Sequence, residues 1–597
     1  MHNHQTNWIN QWGGICQGRH DSLIPVGYFY DCENYCLNPD GTLGPRPGLE
    51  VLATCPDGFP PIKVFSGDWD GTPIMLVSTK KHVYKFNKTN NSLTLIYTWP
   101  STCKRASFAL INPNTSPHIV MGNGIDAMAV YDGTNCEALT DASAPKGLPI
   151  EYKNYVAVFG IPDHPGRVQF NVKNGYIKRT YGTVTNYIIS KVEDFYPLPD
   201  DFYSADSVKF TIDGQNITNY TVTGNKLHLG TSEQPTHIYV SYTSISEDPW
   251  LYGTYPRTLE LQGEISALYP YNGLMIFTDK RTELFSGDPD AAEGQSVLSN
   301  TIGCANPDAV CEAEGSVFWI AQQGICRWDG GGAFPAEIIS DPGVERPSNI
   351  SEDMRKINWQ NRQNFSCCYD YINRRIYFYI EHYKKIPEKV FTQSMFDFEL
   401  RNASWFRWTF DEDFGINKIY FCNVPTELGE TTQLDGRLIL SGNSNKVMLI
   451  NFDIYHEQFK DLNNDYDYFI KSGAMDMGTT EFDKIFRAVT LKILPNYKNY
   501  NGAQEIDLYG YADNQPTEQK ATFRASFNFI MGVSLMGDRL TMMYATEQRR
   551  PIAFKSKYFA FELRGKGPGN ALPICALGIS FRAYSNRSTL TWDNDLI

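Results

Sequence analysis

Gly315-Ser-Val-Phe-Trp-Ile-Ala-Gln-Gln-Gly324-Ile-Cys-Arg-Trp-Asp329-Gly330 holds two β-prone runs separated by a polar break with a glycine. The run from Val317 to Ile320 is wholly apolar, and the second, shorter run closes on Asp-Gly. Two such runs about a glycine-containing turn read as a β-hairpin. The pattern recurs along the chain. Pro73–Val77 is followed by His82–Phe86, His118–Met121 by Ala127–Tyr131, and Tyr155–Phe159 by Arg167–Phe170. Further on, Leu274–Phe277 is followed by Thr282–Phe285, Arg375–Tyr379 by Met395–Phe398, and Arg437–Leu440 by Lys446–Ile450. The hairpins start roughly 40 to 60 residues apart, apart from one wide gap after Phe170, and a period of that length with several strands per unit marks a β-propeller. A multi-sandwich β protein is the plainer alternative, since it too has many hairpins.

Composition agrees with an all-β chain. The 36 Tyr and 35 Phe favour strands, and 47 Gly with 33 Pro supply turns. At 597 residues the chain is too long for one core. A formal charge of −14 with no lysine-rich stripe argues against gripping nucleic acid by its phosphates, although it leaves room for a wall past which DNA slides. The start Met1-His-Asn-His-Gln-Thr-Asn-Trp8 lacks the apolar core of a signal peptide, and no apolar run is long enough to span a membrane. Thirteen dispersed cysteines fit reduced thiols made in a cytosol.

In chain order we expect 1–60 to be an N-terminal arm and a first strand entering the propeller, with an Asp40-Gly41 turn and a rigid Arg46-Pro47-Gly48 corner. Residues 61–171 carry the first blades and 258–452 the rest. Between them, 172–257 breaks the rhythm with Ser207–Gln215, Tyr220–Leu229 and His237–Tyr242, alternating strands joined by Asp213-Gly214 and Gly224-Asn225 turns. This reads as an inserted small β domain of sandwich form, an insertion made easy by the slow growth of loop-closure entropy with length. Residues 453–597 read as a C-terminal β-sandwich, from Thr479-Thr-Glu481 and Phe486–Leu494 to Tyr558–Leu563 and Leu577–Tyr584; the stretch Ala521 to Met543 has no assignment.

The opening text, Gly13-Gly14, Leu23-Ile-Pro25-Val-Gly27, Asp31-Cys-Glu-Asn34 and Asp40-Gly41 through Arg46-Pro47-Gly48-Leu, resembles the start of bacteriophage tail nozzle and packaged-DNA stabilisation proteins, the tail tubular protein B-like family. Thr301-Ile-Gly-Cys304-Ala-Asn-Pro307 and Ala403-Ser-Trp405-Phe-Arg-Trp408 resemble phrases of the same propeller proteins. The resemblance implies a structural virion protein of a tailed phage, made in the host cytoplasm. It would form a homo-oligomeric ring, a hexamer, that extends the DNA channel below the portal and adaptor. Such a ring helps retain packaged DNA and conducts the genomic duplex during ejection. Portal and adaptor proteins and tail fibres would be its partners.

Asp461-Leu-Asn463-Asn-Asp465-Tyr-Asp467 begins like a calcium loop but has Ser472 where the closing acid belongs, so a solvated acidic loop is expected. Ser66-Gly-Asp68-Trp-Asp70-Gly71-Thr72 resembles a sialidase Asp-box with its glycine displaced, and reads as a hairpin turn. Cys32 and Cys36 have no second pair at zinc spacing, His2 and His4 are poor partners, and Cys367 and Cys368 should face opposite sides of a strand. Trp405 and Trp408 read as core between blades rather than as ligand-stacking groups. No Gly-x-Ser-x-Gly, His-Glu-x-x-His or phosphate loop occurs. The expectation is therefore a non-enzyme with no catalytic, cofactor-binding or metal residues. The alternatives are a propeller glycoside hydrolase (a depolymerase of host surface polysaccharide), needing two acids about 5 to 9 Å apart, or a propeller scaffold for protein partners.

Overall fold

The computed structural model describes residues 5–112, 117–139, 144–171, 181–198, 209–212, 214–223, 226–231, 234–245, 258–289, 294–343, 346–385, 390–411, 414–423, 436–450, 461–462, 464–478, 482–493, 504–512, 519–525, 546–566 and 573–584. The chain divides into two compact units, one of Met1–Thr98, Ser266–Leu284 and Ser296–Ile597, the other of Trp99–Ile265 and Phe285–Gln295. Among the described residues no helix is long and apolar enough to cross a membrane.

Every hairpin read from the sequence is the heart of a four-stranded meander, a propeller blade. In the first unit, blade 1 is Pro61–Trp69, Thr72–Thr79, His82–Asn87 and Ser92–Thr98. Blade 4 is Ile265–Pro270, Leu274–Thr278, Thr282–Phe285 and Gln295–Ser299; blade 5 is Val310–Ala313, Ser316–Ala321, Gly324–Trp328 and Glu337–Ile338. Blade 6 is Ser366–Asp370, Arg375–Lys385, Val390–Glu399 and Ser404–Trp408. Blade 7 is Ile416–Asn423, Gly436–Gly442 and Lys446–Ile450, completed by Leu49–Thr54 from the other end of the chain. The first strands of blades 5, 6, 7 and 1 contact one another in that sequence, as the inner strands of a propeller do.

Burial explains why these hairpins were legible. All six residues of Ser316–Ala321 are buried, as are all five of Leu274–Thr278. A blade packed on both faces needs apolar groups at every position, so period-2 alternation gives way to a continuous apolar run. Side chains still alternate between neighbours. Cys367, Phe378 and Trp405 face one buried cluster, while Cys368, Tyr377 and Trp408 face another, so the adjacent cysteines do diverge. A third cluster, with Val64, Met75, Tyr84, Ile439 and Val447, joins blades 1 and 7. At Asp70 and Gly71 both φ values are positive, 48° and 78°, which is the two-residue turn that a right-twisted hairpin prefers. The displaced Asp-box is this turn.

In the second unit, blade 2 is Ser107–Ile111, His118–Gly122, Ala129–Tyr131 and Cys136–Ala138; blade 3 is Leu148–Tyr152, Tyr155–Phe159 and Arg167–Phe170, closed by Thr258–Glu260. The chain between Phe170 and Thr258 carries the wide gap in the repeat. There Tyr181–Ser190, His237–Ile245, Lys209–Ile212 and Gln215–Asn216 form one sheet, and Tyr196–Pro197, Lys226–Leu229 and Tyr220–Thr223 a second. Ile189, Tyr196, Phe210, Leu227, Ile238 and Val240 fill a core of their own. Asp213 and the Gly224-Asn225 turn lie outside the described residues.

The C-terminal sandwich is two six-stranded sheets, and the N-terminal segment is part of both. In one, Gln5–Ile9 and Leu43–Pro45 pair with Ile574–Tyr584, which also pairs with Asp483–Ile493. In the other, Tyr28–Glu33 pairs with Asp467–Ser472, which pairs with Ala560–Lys566. Residues 1–60 are expected to be an N-terminal arm and a first strand entering the propeller. Instead, strands as far as Pro45 belong to the sandwich, and only Leu49–Thr54 enters a blade. The physical reason is edge pairing: Gln5–Ile9 hydrogen-bonds along an edge that Ile574–Tyr584 would otherwise leave open. Phe486, Phe554, Phe559 and Phe581 pack together within the sandwich, with Phe554 and Phe559 stacked at 5.7 Å. His2, His4, Thr479–Glu481 and residues 526–543 of the unassigned stretch lie outside the described residues.

Candidate functional site: buried charge clusters

The Arg46-Pro47-Gly48 corner is densely hydrogen-bonded. Arg46 is fully buried, and its guanidinium meets Asp461 twice, at 2.8 Å (Nη1 to Oδ1) and 2.5 Å (Nη2 to Oδ2). It also donates to Asn34 Oδ1 at 2.9 Å, to the Pro47 carbonyl at 2.9 Å and to the Thr409 carbonyl at 2.8 Å. Its faces are covered by the rings of Phe410 and Tyr466, 4.3 and 4.1 Å from the guanidinium carbon. Asn34, at φ 60°, accepts from Arg46 and from the Thr409 amide while its Nδ2 donates to the Asp467 carbonyl at 2.8 Å. Asp40 caps the turn to Thr42. Five donors in a rigid plane and stacking on both faces are properties of arginine that lysine lacks.

This corrects one expectation. Asp461 is not part of a solvated acidic loop but is buried as the counter-ion of Arg46. Asn463 lies outside the described residues, and among those described no group of three or more His, Cys, Asp or Glu could hold a metal.

A second cluster joins three segments. Asp308, in the turn before blade 5, accepts from Lys63 on the first strand of blade 1 and Lys418 on the first strand of blade 7. Burial alone would raise its carboxyl, but the two ammonium groups outweigh it and hold it well below the ordinary carboxylate range. The sign follows from linkage: a depressed carboxylate contributes stability above the unfolded-chain value, about pH 4, and loses it as pH falls below that. Asp308→Asn is expected to cost about 3 kcal/mol at pH 7 by leaving two lysines uncompensated. Its deficit relative to the parent chain should shrink in urea titrations repeated below about pH 4.

A third cluster ties the N-terminal segment to blade 6. Arg407 meets Asp31 at 2.6 Å, Asp353 at 3.2 Å and Glu33 at 3.4 Å, while Gln17 donates to Asp353 at 2.9 Å. Burial raises the Asp31 carboxyl against the pull of Arg407, and Arg407 holds Asp353 down against its own burial. Beside it His382, lowered by burial, shares a 2.9 Å hydrogen bond with Ser394.

A glycosidase acid should have a raised pKa and face solvent. Burial pushes Asp397 up to about 6 against the pull of Arg375, with Glu399 and Asp370 adding to it. Yet Asp397, Glu399 and Asp370 are each fully enclosed at 0% exposure. Glu399 and Asp370 are spent on turns, receiving the amides of Asn402 and of Ile372 and Asn373. A proton held there has no path to a substrate.

The cysteines are thiols. Burial pushes Cys36, Cys304 and Cys422 up to about 12, and the described structure contains free cysteines only. Cys32 and Cys36 sit in separate buried clusters. Trp405 and Trp408 are fully buried, donating to the Ile339 carbonyl at 3.1 Å and the Tyr35 carbonyl at 3.0 Å, which leaves neither ring free to stack on a ligand.

No family model and no curated protein matches the chain. Among solved structures, a chain of a mitotic checkpoint complex is similar at 9% identity and TM-score 0.32, covering 68% of this chain and 91% of that one. A Trypanosoma rangeli sialidase, solved with 2,3-difluorosialic acid as a covalent intermediate, is similar at 8% identity and TM-score 0.24, covering 84% and 94%. At these identities and scores neither carries an argument about activity. The chain is an all-β propeller with an inserted β domain and a C-terminal sandwich, as its own sheets establish.

Proposed function

We propose that the chain is a structural, ring-forming tail nozzle of a tailed phage and not an enzyme. The observation that supports the reading is where the resembling residues sit. Asn34 and the Arg46-Pro47 corner form a lock between the residue that follows the last strand of blade 6 and the sandwich, through Thr409, Asp461 and Asp467, while Asp40 caps its own turn to Thr42. Residues held for assembly rather than chemistry suit a part whose work is mechanical. Lys63, Lys418 and Asp308 draw the inner strands of blades 1 and 7 and the turn before blade 5 onto one carboxylate. A duplex, whose major groove alone is about 12 Å wide, has no room between them. The DNA path would therefore run between copies in a ring, past acidic walls that repel phosphate. Immunogold labelling of purified particles with antibody to the chain tests this. Label on the tail below the portal is the expected result, and particles without label would refute the reading.

A further inference from the structure

One face of blade 6 carries more buried acid than base. Asp370 lies opposite Arg375 and Arg375 opposite Glu399, so register puts the three on one side of the sheet; two residues along, Asp397 lies opposite Tyr377 on that same side. Asp370, Asp397 and Glu399 are fully enclosed and Arg375 nearly so, while Arg401, which donates to Glu399, is 36% exposed. Three carboxylates thus face two guanidiniums. Two of the carboxylates are built to be charged. Asp370 accepts from the amides of Ile372 and Asn373 and from Asn373 Nδ2, and Glu399 accepts from Arg401 and the Asn402 amide. Asp397 differs. Its Oδ2 accepts from Arg375, but its Oδ1, equally enclosed, has no donor among the described residues. An ionised oxygen shut away without a donor is costly, and a proton on it removes the surplus charge. Arg375 also reaches out of the blade: its Nη2 donates to the Leu37 carbonyl, in the hairpin of Tyr35–Leu37 and Leu43–Pro45. One guanidinium therefore joins Asp397 to the N-terminal segment.

We propose that this cluster is a proton-operated joint: with a proton held at Asp397 it ties the N-terminal hairpin to blade 6, and when that proton leaves, the joint loosens. The surroundings single out Asp397 as the group that titrates. On its own sheet it meets Arg375, Glu399, Asp370 and Tyr377, while the last strand of the blade sets apolar Phe406 opposite it and Ser404 opposite Glu399. The N-terminal hairpin contributes Cys36, and Arg46, which also acts on Cys36, is committed to Asp461. Burial pushes Cys36 up to about 12 and holds Tyr377 well above the ordinary phenol range, so neither ionises near neutrality. Burial raises Asp397 to about 6, with Arg375 pulling the other way and Glu399 and Asp370 adding to the rise. The folded chain therefore keeps a proton that the unfolded chain releases near pH 4. Between about pH 4 and about pH 6 the contribution of this group to stability falls as pH rises, and above that window it is lost in full. The direction is opposite to that of Asp308, whose contribution is lost on the acid side. The joint does not depend on the ring reading.

The test follows urea unfolding of the full chain from about pH 4 to about pH 8, with backbone amide exchange at Tyr35–Leu37 measured at the same pH values and corrected for the intrinsic rate. The expected result is a folding equilibrium for the parent chain that falls by ~100-fold relative to that of Asp397→Asn across the window. Exchange at Tyr35–Leu37 should quicken over the same range in the parent chain alone. Above about pH 6 Asp397→Asn should match or exceed the parent, because the amide oxygen still accepts from Arg375 without the surplus charge. Glu399→Gln keeps an acceptor for the Asn402 amide and should move the transition of the parent to lower pH; it decides the matter if Asp397→Asn does not fold. Parallel pH profiles for the parent and Asp397→Asn would overturn the proposal. So would a loss of stability in Asp397→Asn that is equal at every pH, the mark of an ordinary ion pair, or a pH effect that leaves exchange at Tyr35–Leu37 unchanged.

Discussion

Arg46→Met is expected to cost about 3 to 5 kcal/mol of stability, because it leaves the Asp461 carboxylate buried without its partner. The Asn34 side chain and the Pro47 and Thr409 carbonyls lose donors at the same time. Unsatisfied buried acceptors add to the loss. Arg46→Lys should recover little, since an ammonium cannot span both Asp461 oxygens while lying flat between Phe410 and Tyr466. The double change Arg46→Met with Asp461→Leu should recover much of the loss, as replacing a whole buried pair by apolar groups is often near neutral. Urea titration of the four proteins measures each term. Limited proteolysis adds location: in Arg46→Met the N-terminal segment should be cut before the blades are. If the single change leaves the urea midpoint unmoved, the corner is not the lock described here.

Trp405→Ala is the second large effect, at about 3 to 5 kcal/mol for truncating a fully buried indole. The ring packs against Phe398 at 4.5 Å and Phe378 at 5.7 Å, and its backbone amide donates to Ser348 Oγ at 2.9 Å. Directly against its backbone lies Gly14 at φ +81°, where an added Cβ would stand 2.5 Å from the Trp405 carbonyl. The N-terminal segment rests on the backbone of this strand, so the loss should loosen that segment as well as blade 6. Trp405→Phe keeps most of the apolar volume but leaves the Ile339 carbonyl without its donor, so its cost should be smaller, about 1 to 3 kcal/mol. Equal effects for Ala and Phe would mean that the hydrogen bond, and not the packing, holds the site. Guanidinium denaturation followed by Trp fluorescence, checked by circular dichroism because the mutated residue is itself a reporter, reads both.

Much of the fold was legible because burial on both faces writes an unbroken apolar run. Leu274–Thr278 and Ser316–Ala321 carry that mark, and each hairpin they began is present. The outer strands were not read. Cys136–Ala138 and Gln295–Ser299 are short and largely exposed, so no apolar signal marks them. The N-terminal strands were missed for another reason. Gln5–Ile9 looks like polar coil until Ile574–Tyr584 offers it an edge, and nothing local in either segment names the other. The charge clusters fail in the same way. Arg46 and Asp461 lie 415 positions apart, and an acid-rich stretch around Asp461 looks solvated when its arginine is out of sight. The turn motif around Arg46 is visible in the sequence, while its role as a lock depends on Thr409 and Tyr466 arriving from two other parts of the chain.

The central claim is that this propeller works as one member of a closed ring. Native mass spectrometry of the purified full chain over a range of concentrations and salt tests it most directly, with electron microscopy of the same sample for symmetry. The account predicts a closed assembly of about six copies around an open channel. A monomer that persists at every concentration and releases sugars from host surface polysaccharide would contradict it and favour the hydrolase.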